Sequence, residues 1–542
     1  MAAASGEQAA AGGSLWTPLR RRGAFRSLWL AGVASNVGTW MQNVGAVWLM
    51  TSLTPSPLMV ALVQTATSLP FFLLALPAGA LADVVDRRRL LLATQWWMLV
   101  AAAALGGLTI AGATGPRTLL ALTFAIGVGS ALSAPAWQAI IPDLVPRADL
   151  PQAVALNGVG VNIARAVGPA LGGVVVAAAG SGAVFLANAV SFVAVIGALL
   201  AWREPRRRSR LPAEHLFAAM RAGARYVRHA PPVRAVLART TIFLACASAL
   251  WALLPVVARL RGLGAAGYGA LLASLGLGAV AGANLLPRAL RRASANALVV
   301  AATVLFAATT LLLAWVPALS ALCAAMVAAG IGWITAMAIL SVDAQVSVPT
   351  WVRARGLGYF QLAGQGALAL GSAAWGALAG RLGTPRALAW SAAGLVVGLT
   401  ATRRWRLGQG EGADLTPSMH WPEPTAPPDL SPEDGPVRVT VEYQIDPARA
   451  EEFAAVMGTL ARLRRRDGAM HWRLYRDPAV PGRYVEEFMS RSWVDHLREH
   501  ERVTVADRAV EERARAFHLG DEPVRVSHLV AVGVPRGRRF SP

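Results

Sequence analysis

The chain has 542 residues, 55% of them hydrophobic, and its mean hydropathy is +0.47. Ordinary soluble domains contain roughly 45–50% apolar residues, so the composition argues against a wholly soluble protein. The formal net charge of +21 comes from 51 arginines, and there is no lysine. Residues 1–404 carry +23 and residues 405–542 carry −2. A nucleic-acid-binding face of basic and aromatic residues is therefore not expected.

Apolar stretches long enough to cross a bilayer as helices recur between residues 25 and 404. Counting apolar windows between polar breaks predicts about twelve spans, six in each half. They cover residues 25–50, 57–82, 90–112, 118–141, 153–179, 182–202, 237–258, 267–287, 297–315, 318–341, 355–380 and 386–402.

The membrane part repeats itself at an offset of 203 positions. The offset relates Trp48 to Trp251 and Arg88 to Arg291, and many other Gly, Pro, Trp and Arg positions share the same register. Two similar hydrophobic halves in tandem are typical of secondary transporters, whose substrate path lies between the halves.

The predicted organisation has six parts. They are an N-terminal cytoplasmic tail (1–24), a first six-helix bundle (25–203), a cytoplasmic connector (204–236), a second six-helix bundle (237–404), a Pro-rich linker (405–436) and a soluble domain (437–535). The connector carries Arg221, Arg225 and Arg228 at helical spacing. It is predicted to be an amphipathic helix against anionic lipid of the cytoplasmic face.

Arginine also predicts the orientation of the membrane part. If both of its ends are cytoplasmic, that side carries 26 arginines and the opposite side carries five. Positive residues concentrate on the cytoplasmic side, so a multi-pass protein of a bacterial plasma (inner) membrane with cytoplasmic termini is expected. No cleavable signal peptide is predicted before the first span.

The C-terminal part has the pattern of a small α+β domain. Val437–Ile445 alternates apolar and polar residues as a half-buried strand does, and a helix begins near Asp446. Two strands at 470–476 and 483–490, a helical region at 492–518 and a last strand at 524–532 follow. The order βαββαβ predicts a ferredoxin-like fold.

The loop after the second span holds a recognisable motif. It contains Gly79 and Asp83, followed by the basic cluster Arg87, Arg88 and Arg89. This resembles the signature loop of the major facilitator superfamily, which implies a twelve-span fold of two six-helix pseudo-repeats and a gating role. Val84 and Asp86 depart from the family pattern.

Asp143, at the end of the fourth span, is expected to pair with this basic cluster, and Asp83 to accept hydrogen bonds at the start of the eleventh span. A simpler interpretation is that the loop charges only set the topology.

The fifth span has a polar helix face that includes Asn162, Arg165 and Pro169. Together with Gly168, these residues resemble a motif of the exporter branch that contains the enterobactin exporter. The offset of 203 brings Gln361 and Gln365 to the matching face of the eleventh span. A buried arginine usually faces a partner or a water-filled cavity, so a gating role is predicted, with packing and a structural ion pair as the alternative.

The superfamily resemblance implies a substrate cavity lined by the first, fourth, seventh and tenth spans. Aromatic and amide side chains suit a sizeable, partly apolar solute. The candidates are Asn36, Trp40, Asn43, Trp137, Gln138, Trp251, Trp333 and Asp343, and for each of them packing is an equally good explanation. Beyond Asp83 and Asp143, Asp343 is also the best candidate for a membrane-embedded acid that takes part in proton coupling.

The soluble domain resembles the antibiotic-biosynthesis-monooxygenase-like family of dimerising α+β barrels, through Trp493, His496 and His500. The two histidines are spaced i, i+4 and could bind a metal or haem, but the sequence offers no evident third ligand. Ordinary fold residues are the alternative. Cys246 and Cys323 suggest no metal site, and no cofactor is predicted. A tail of this kind also occurs in the secretion-effector branch of the superfamily.

The sequence as a whole predicts a secondary active exporter that moves a small amphipathic molecule by alternating access, driven by an ion gradient. The superfamily resemblance implies coupling to protons, although acids within the predicted spans are scarce. A siderophore, another secondary metabolite and a drug are the substrate classes considered. The alternative is a membrane-anchored monooxygenase-like enzyme or ligand sensor whose activity lies in the C-terminal domain.

Overall fold

The computed structural model describes residues 16–21, 23–146, 149–202, 216–405, 407–408, 414–421, 430–520 and 522–531. The tail before residue 16, most of the connector's first half and parts of the Pro-rich linker lie outside these residues. The chain divides into two compact units. The first unit is Met1–Pro212, Leu237–Ser341 and Phe360–Trp405, and the second is Ala213–Val236, Val342–Tyr359 and Arg406–Pro542.

The described part of the first unit is built from long helices. They are α1 (Thr17–Arg21), α2 (Gly23–Leu53), α3 (Pro57–Val84), α4 (Arg87–Ile110), α5 (Pro116–Leu144), α6 (Leu150–Ala201), α8 (Pro231–Leu260), α9 (Gly264–Leu290), α10 (Ala295–Trp315), α11 (Leu319–Val346), α12 (Arg353–Leu382) and α13 (Thr384–Thr402). The first residues of α8, the end of α11 and the start of α12 belong to the second unit. We call α2 to α6 the first-half helices and α8 to α13 the second-half helices.

Among the described residues, eight helices are long and apolar enough to cross a membrane: α3, α4, α5, α6, α8, α9, α10 and α11. Helix α6 has 52 residues and contains a break at Gly180, where φ is +78°. Glycine adopts this left-handed conformation without the steric cost of a Cβ atom. The break falls between the predicted fifth and sixth spans.

Helix starts in the first unit follow ordinary capping chemistry. The Asp86 side chain accepts a hydrogen bond from the backbone N–H of Arg89 at 2.8 Å and so caps α4. Ser56 caps α3, which has Pro57 as its first residue. Side-chain oxygens at this position satisfy backbone N–H groups that have no partner within the helix. Asp86, which departs from the family loop pattern, therefore has a local structural role.

The outer surface of the first unit is apolar. Val100, Val190, Leu277 and Val397 are each between 63% and 68% exposed. Apolar side chains exposed along long helices suit contact with lipid hydrocarbon, which forms the solvent of a membrane protein. Polar groups lie inside instead, as in the hydrogen bond that Asn188 donates to the Gln42 side-chain oxygen at 2.5 Å.

The two halves of the first unit meet through small residues. A Cβ atom placed on Gly173 of α6 would lie only 2.7 Å from the Cα of Gly269 on α9. On α12, a Cβ atom on Gly376 would lie 3.1 Å from the Cα of Leu58 on α3. Small residues let membrane helices approach this closely. Gly173 and Gly376 are related by the 203-residue repeat, so equivalent positions form both contacts.

The second unit contains a four-stranded antiparallel sheet. Its strands are β1 (Val437–Gln444), β2 (Trp472–Arg476), β3 (Arg483–Ser490) and β4 (Arg525–Val530), in the order β2-β3-β1-β4. The helices of this unit are α7 (Leu216–His229), α14 (Ala450–Asp467), α15 (Trp493–Arg502) and α16 (Val505–Arg515). Buried residues of β1 alternate along the strand and pack against Phe453, Met457 and Leu460 of α14.

The predicted helical region 492–518 is two helices rather than one. Helix α15 ends at Arg502, and Thr504 begins α16. The Thr504 hydroxyl accepts from the Asp507 backbone N–H, and the Asp507 carboxylate accepts from the Thr504 backbone N–H. This reciprocal capping box starts a new helix and so ends the previous one.

The connector helix α7 packs within the second unit. Tyr226 is buried, donates a hydrogen bond to the Ser347 carbonyl at 3.2 Å and lies edge-on to Trp351 at 5.8 Å. The Arg466 guanidinium of α14 lies 5.5 Å from the Tyr226 ring centroid. Arg221 and Arg228 are exposed. One face of this amphipathic helix is therefore covered by its own chain, and the opposite face is charged.

Candidate functional site

Two adjoining hollows lie among the first-half helices. The first, of about 270 Å³, lies where α2 and α6 begin and α5 ends, and its lining includes Phe25, Leu144 and Asn157. The second, of about 300 Å³, reaches towards the middle of α2 and includes Asn43, Gly127 and Ser130. The two share the lining residues Ser35, Asn36, Gln95, Ala134 and Trp137. Together they form one partly polar cavity, which we call the first-half cavity.

Four of the residues predicted for the substrate cavity line this space. Asn36 and Trp137 line both hollows, Gln138 lines the first and Asn43 lines the second. Amide and hydroxyl groups surrounded by apolar walls can fix the orientation of a bound solute while its apolar parts are buried.

Three amides that the sequence interpretation missed also line the cavity: Gln42, Gln95 and Asn157. Gln42 and Gln95 are buried. In the sequence, each of them is an uncharged amide within an apolar span. Such amides are too common in membrane helices to identify these three as cavity residues. Their side chains give the cavity hydrogen-bonding capacity on α2, α4 and α6.

Trp40 and Arg165 lie beside one another. The Arg165 guanidinium carbon is 6.0 Å from the Trp40 ring centroid, at the limit of a cation–π contact. A Cβ atom on Gly168 would collide with the Trp40 side chain, so this glycine lets α6 approach α2. Pro169 is buried and Asn162 is exposed. The motif of the fifth span therefore combines a positive charge with close helix packing.

The second-half candidates lie elsewhere in the described structure. Trp251 and Trp333 are half-buried, lie 5.3 Å from each other and pack against an apolar core that contains Phe243 and Phe306. Asp343 is buried and accepts a hydrogen bond from the Gly408 backbone N–H at 3.2 Å, within the second unit. On α12, Gln361 is exposed and Gln365 half-buried, and neither is among the described lining residues of the first-half cavity.

The basic cluster of the predicted gating loop makes defined contacts. Arg88 donates hydrogen bonds to the carbonyls of Leu199 and Leu200 at the end of α6, at 2.8 and 2.9 Å. Arg87 donates to the Ala139 carbonyl of α5 at 3.1 Å. The cluster thus ties the start of α4 to two neighbouring helices, and Arg88 places positive charge at the C-terminal end of α6.

The remaining residues of the predicted loop make fewer described contacts. Gly79 is half-buried on α3, and the Arg89 side chain is exposed. The side chains of Asp83 and Asp143 lie outside the described residues, so their predicted partners stay predictions.

The two halves touch at the C-terminal end of α2, opposite to the end that lines the first-half cavity. Arg259 at the end of α8 donates hydrogen bonds to the carbonyls of Thr51 and Thr54, the latter at 2.9 Å. Trp48 of α2 stacks on Tyr268 of α9, with 6.2 Å between the ring centroids. These contacts lie at the C-terminal end of α2, whereas the first-half cavity extends to the end where α2 begins.

The histidines predicted in the soluble domain lie together. His496 and His500 are one turn apart on α15, with their Nε2 atoms 3.2 Å from each other. The His528 ring of β4 lies 4.8 Å from the His496 ring, and Trp493 packs against both. Burial lowers the pKa of His496 to about 4, assisted by the charge of Arg464, so its imidazole is neutral at pH 7.

Glu499 lies beside this histidine cluster and is buried. Burial raises its pKa to about 7, although the hydrogen bond that Ser490 donates at 2.9 Å acts in the opposite direction. His528 is the member that the sequence interpretation missed. It lies 28 residues after His500, on a strand, so no helical spacing links it to the other two.

Comparison with solved structures shows the fold. A bacterial homologue of the human lysosomal transporter Spinster, in an inward-facing and unoccupied conformation, superposes with a TM-score of 0.56 at 15% identity over 70% of this chain and 97% of its own. A bacterial homologue of the iron transporter ferroportin, in an inward-facing state, gives 0.55 at 16% identity over 70% and 98%. The chain therefore shares the fold of these two transporters.

A similar protein of known name is the staphyloferrin A transporter of Staphylococcus aureus. It is 29% identical over 162 residues, which are 30% of this chain and 41% of the relative. The match thus spans about two fifths of that relative's length. The family described as transmembrane secretion effector matches residues 13–536, nearly the whole chain. The chain belongs to this family of transmembrane secretion effectors and is a multi-pass membrane protein with the fold of major facilitator transporters.

Proposed function

We propose that this protein is a secondary active exporter of a small amphipathic molecule, in which the first-half cavity is part of the substrate path. The observation that carries the proposal is the pairing of a cavity at one end of α2 with contacts between the halves at the other. Alternating access requires such a state, in which one side is covered and the other admits solute. Family and relatives point to a transporter rather than an enzyme.

The end of the first-half cavity at which α2 begins is assigned to the cytoplasmic side. Arginine is concentrated in the loops on the side where α2 begins, and such loops face the cytoplasm. With α6 counted as two spans at Gly180, and with α2, α12 and α13 included, the first unit has twelve spans and both termini are cytoplasmic. The described conformation is then inward-facing, ready to receive a solute from the cell interior.

The cavity lining favours a solute with several hydrogen-bonding groups and an apolar part. Asn36, Gln95 and Asn157 provide amides, and Trp137 provides a large ring. Arg165, next to Trp40, adds a positive charge on a neighbouring part of α6. A siderophore or a comparable secondary metabolite has this chemistry, and the similarity to a protein named staphyloferrin A transporter supports the same class.

The proposed driving force for export is the proton gradient, and the proposed role of the second unit is to pair two copies of the chain. Asp83, Asp143 and Asp343 are the acids that the sequence offers at span ends. The strand order β2-β3-β1-β4 of the tail supports a ferredoxin-like fold, whose edge strand β4 is open to pairing with a second copy. Collapse of export by a protonophore would support proton coupling.

The direction of transport is tested by metabolite profiling. Cells with and without the protein are compared by mass spectrometry of medium and cytosol. Export predicts that at least one metabolite accumulates inside cells that lack the protein and is depleted from their medium. An unchanged metabolite profile, or a metabolite depleted inside those cells, would contradict the proposal.

The cavity is tested with the metabolite so identified, in inside-out membrane vesicles. Trp137→Ala removes the ring shared by both hollows and is expected to raise the KM for uptake. Trp390→Ala is the matched control, because Trp390 is 61% exposed on the apolar surface of α13. Equal kinetics in the two variants would exclude the first-half cavity as the binding site.

A further inference from the structure

The cluster of His496, His500 and His528 has the geometry of a set of metal ligands. One ring nitrogen from each residue can be chosen so that all three lie within 4.8 Å of one another. A tetrahedral zinc ion with Zn–N bonds of about 2.0–2.1 Å places its nitrogen ligands about 3.3–3.4 Å apart. The Nε2 atoms of His496 and His500 already lie at 3.2 Å. Metal binding therefore requires the His528 nitrogen, which lies within 4.8 Å of the other two, to move closer to them.

The fold directs all three imidazoles to one place. His496 and His500 are four residues apart, so they lie on one face of α15. His528 pairs with Val439 of β1, and residues that face each other across antiparallel strands share a side of the sheet. Val439 is buried, so His528 points to the covered side, where His496 is also buried.

Glu499 lies where a carboxylate would support a metal-bound His496. The Nδ1 atom of His496 lies 3.7 Å from a carboxylate oxygen of Glu499 and makes no hydrogen bond among the described residues. With a proton on Nδ1 facing this carboxylate, Nε2 of His496 carries a lone pair that accepts the hydrogen bond from Nε2–H of His500 at 3.2 Å. A metal ion would replace that hydrogen bond by binding both Nε2 lone pairs, and a carboxylate beside the distal nitrogen is the usual support for a ligating histidine.

We propose that His496, His500 and His528 bind a divalent transition-metal ion such as Zn²⁺, with a fourth position open to water or an oxygen-donor ligand. Neutral imidazoles suit zinc, copper, nickel and ferrous iron. Aromatic rings cover the site: Trp421 lies edge-on to His500 at 4.6 Å, and Trp493 lies 5.6 Å from His496. The proposal concerns the second unit and is independent of the transport function.

The test uses the full-length protein, purified with a tag that contains no histidine and stripped of metal with a chelator. Calorimetric titration with Zn²⁺ is expected to show one ion per chain, and Co²⁺ to give the visible absorption of a tetrahedral complex. Each of His500→Gln and His528→Gln is expected to lower the affinity by at least about 100-fold, since loss of even an outer support costs 10–100-fold.

His471→Gln is the matched control, because His471 is exposed and lies outside the cluster. His528→Cys provides a second readout, which can be interpreted even if the glutamine variants fold poorly. It keeps a ligand and is expected to add a thiolate-to-cobalt charge-transfer band. The proposal is overturned if the wild type binds no Zn²⁺, if His528→Gln binds as the wild type does, or if His471→Gln loses affinity equally.

Discussion

Gly173 of α6 and Gly269 of α9 pack backbone against backbone, so that a Cβ atom on Gly173 would approach the Cα of Gly269 to 2.7 Å. Real Cβ atoms do not come so close to backbone, and neither helix can yield without moving its neighbours. The contact lies between the two halves of the first unit. Its repeat-related counterpart, Gly376, lies against α3.

The first prediction concerns this contact. Gly173→Val is expected to abolish export while membrane insertion stays normal, because the added side chain forces the halves apart. Gly158→Val is the control on the same helix, since a Cβ atom there meets no atom within 4 Å. Both variants replace glycine with the same β-branched residue in α6, so the change in helix propensity is the same in both. Vesicle transport is the measurement, and equal activity of the two variants would contradict the prediction.

The second prediction concerns Arg165. Arg165→Ala is expected to abolish export at normal protein levels, because it removes the positive charge beside Trp40. Arg165→Lys keeps the charge but loses the planar guanidinium, and is expected to retain part of the activity. Arg117→Ala, at the start of α5, serves as a control away from the cavity. Efflux by Arg165→Ala at the wild-type rate would remove this residue from the mechanism.

The third prediction concerns Glu511 in α16. Burial alone would raise the pKa of Glu511, but the charge of Arg464 and two hydrogen bonds lower it to about 2. The nearest Arg464 nitrogen lies 2.5 Å from the carboxylate. A lowered pKa means that the ionised form stabilises the fold above the unfolded value of 4.5, by about 3 kcal/mol at neutral pH. This contribution is lost as the pH falls towards 2.

Glu511→Gln is therefore expected to increase amide exchange of residues 505–515 at pH 7, and the difference from wild type is expected to shrink below pH 4. Glu512→Gln is the neighbouring control. Glu512 also pairs with an arginine, Arg508, but both side chains are about half exposed, and such surface pairs contribute little. Equal exchange in the two variants at pH 7 would refute the assigned role of Glu511.

The sequence predicted most of the helical architecture because span length and hydropathy are local properties. The strands of the tail were also placed within a few residues, since alternation of burial is local too. The residues predicted for the substrate cavity are divided in the structure. Asn36 and Trp137 line the first-half cavity, whereas Trp251 and Trp333 are half-buried against an apolar core, because the same residue types serve packing and binding.

The histidine cluster shows a different limit. His496 and His500 stand out by their helical spacing, but His528 joins them only through the pairing of β4 with β1. Strand pairing over so many residues depends on the assembled sheet. The break between α15 and α16 was predictable in principle, because Thr504 and Asp507 have the spacing of a capping box.

The second unit is formed by three separate stretches of chain, and this limits how the tail can be engineered. Arg466 lies over Tyr226 of the connector, and Arg502 lies 4.8 Å from the ring of Trp351 in the α11–α12 turn. Excising residues 437–542 would therefore uncover two aromatic rings as well as remove a domain. A chimera that exchanges tails between family members should carry Ala213–Val236 and Val342–Tyr359 along with the graft.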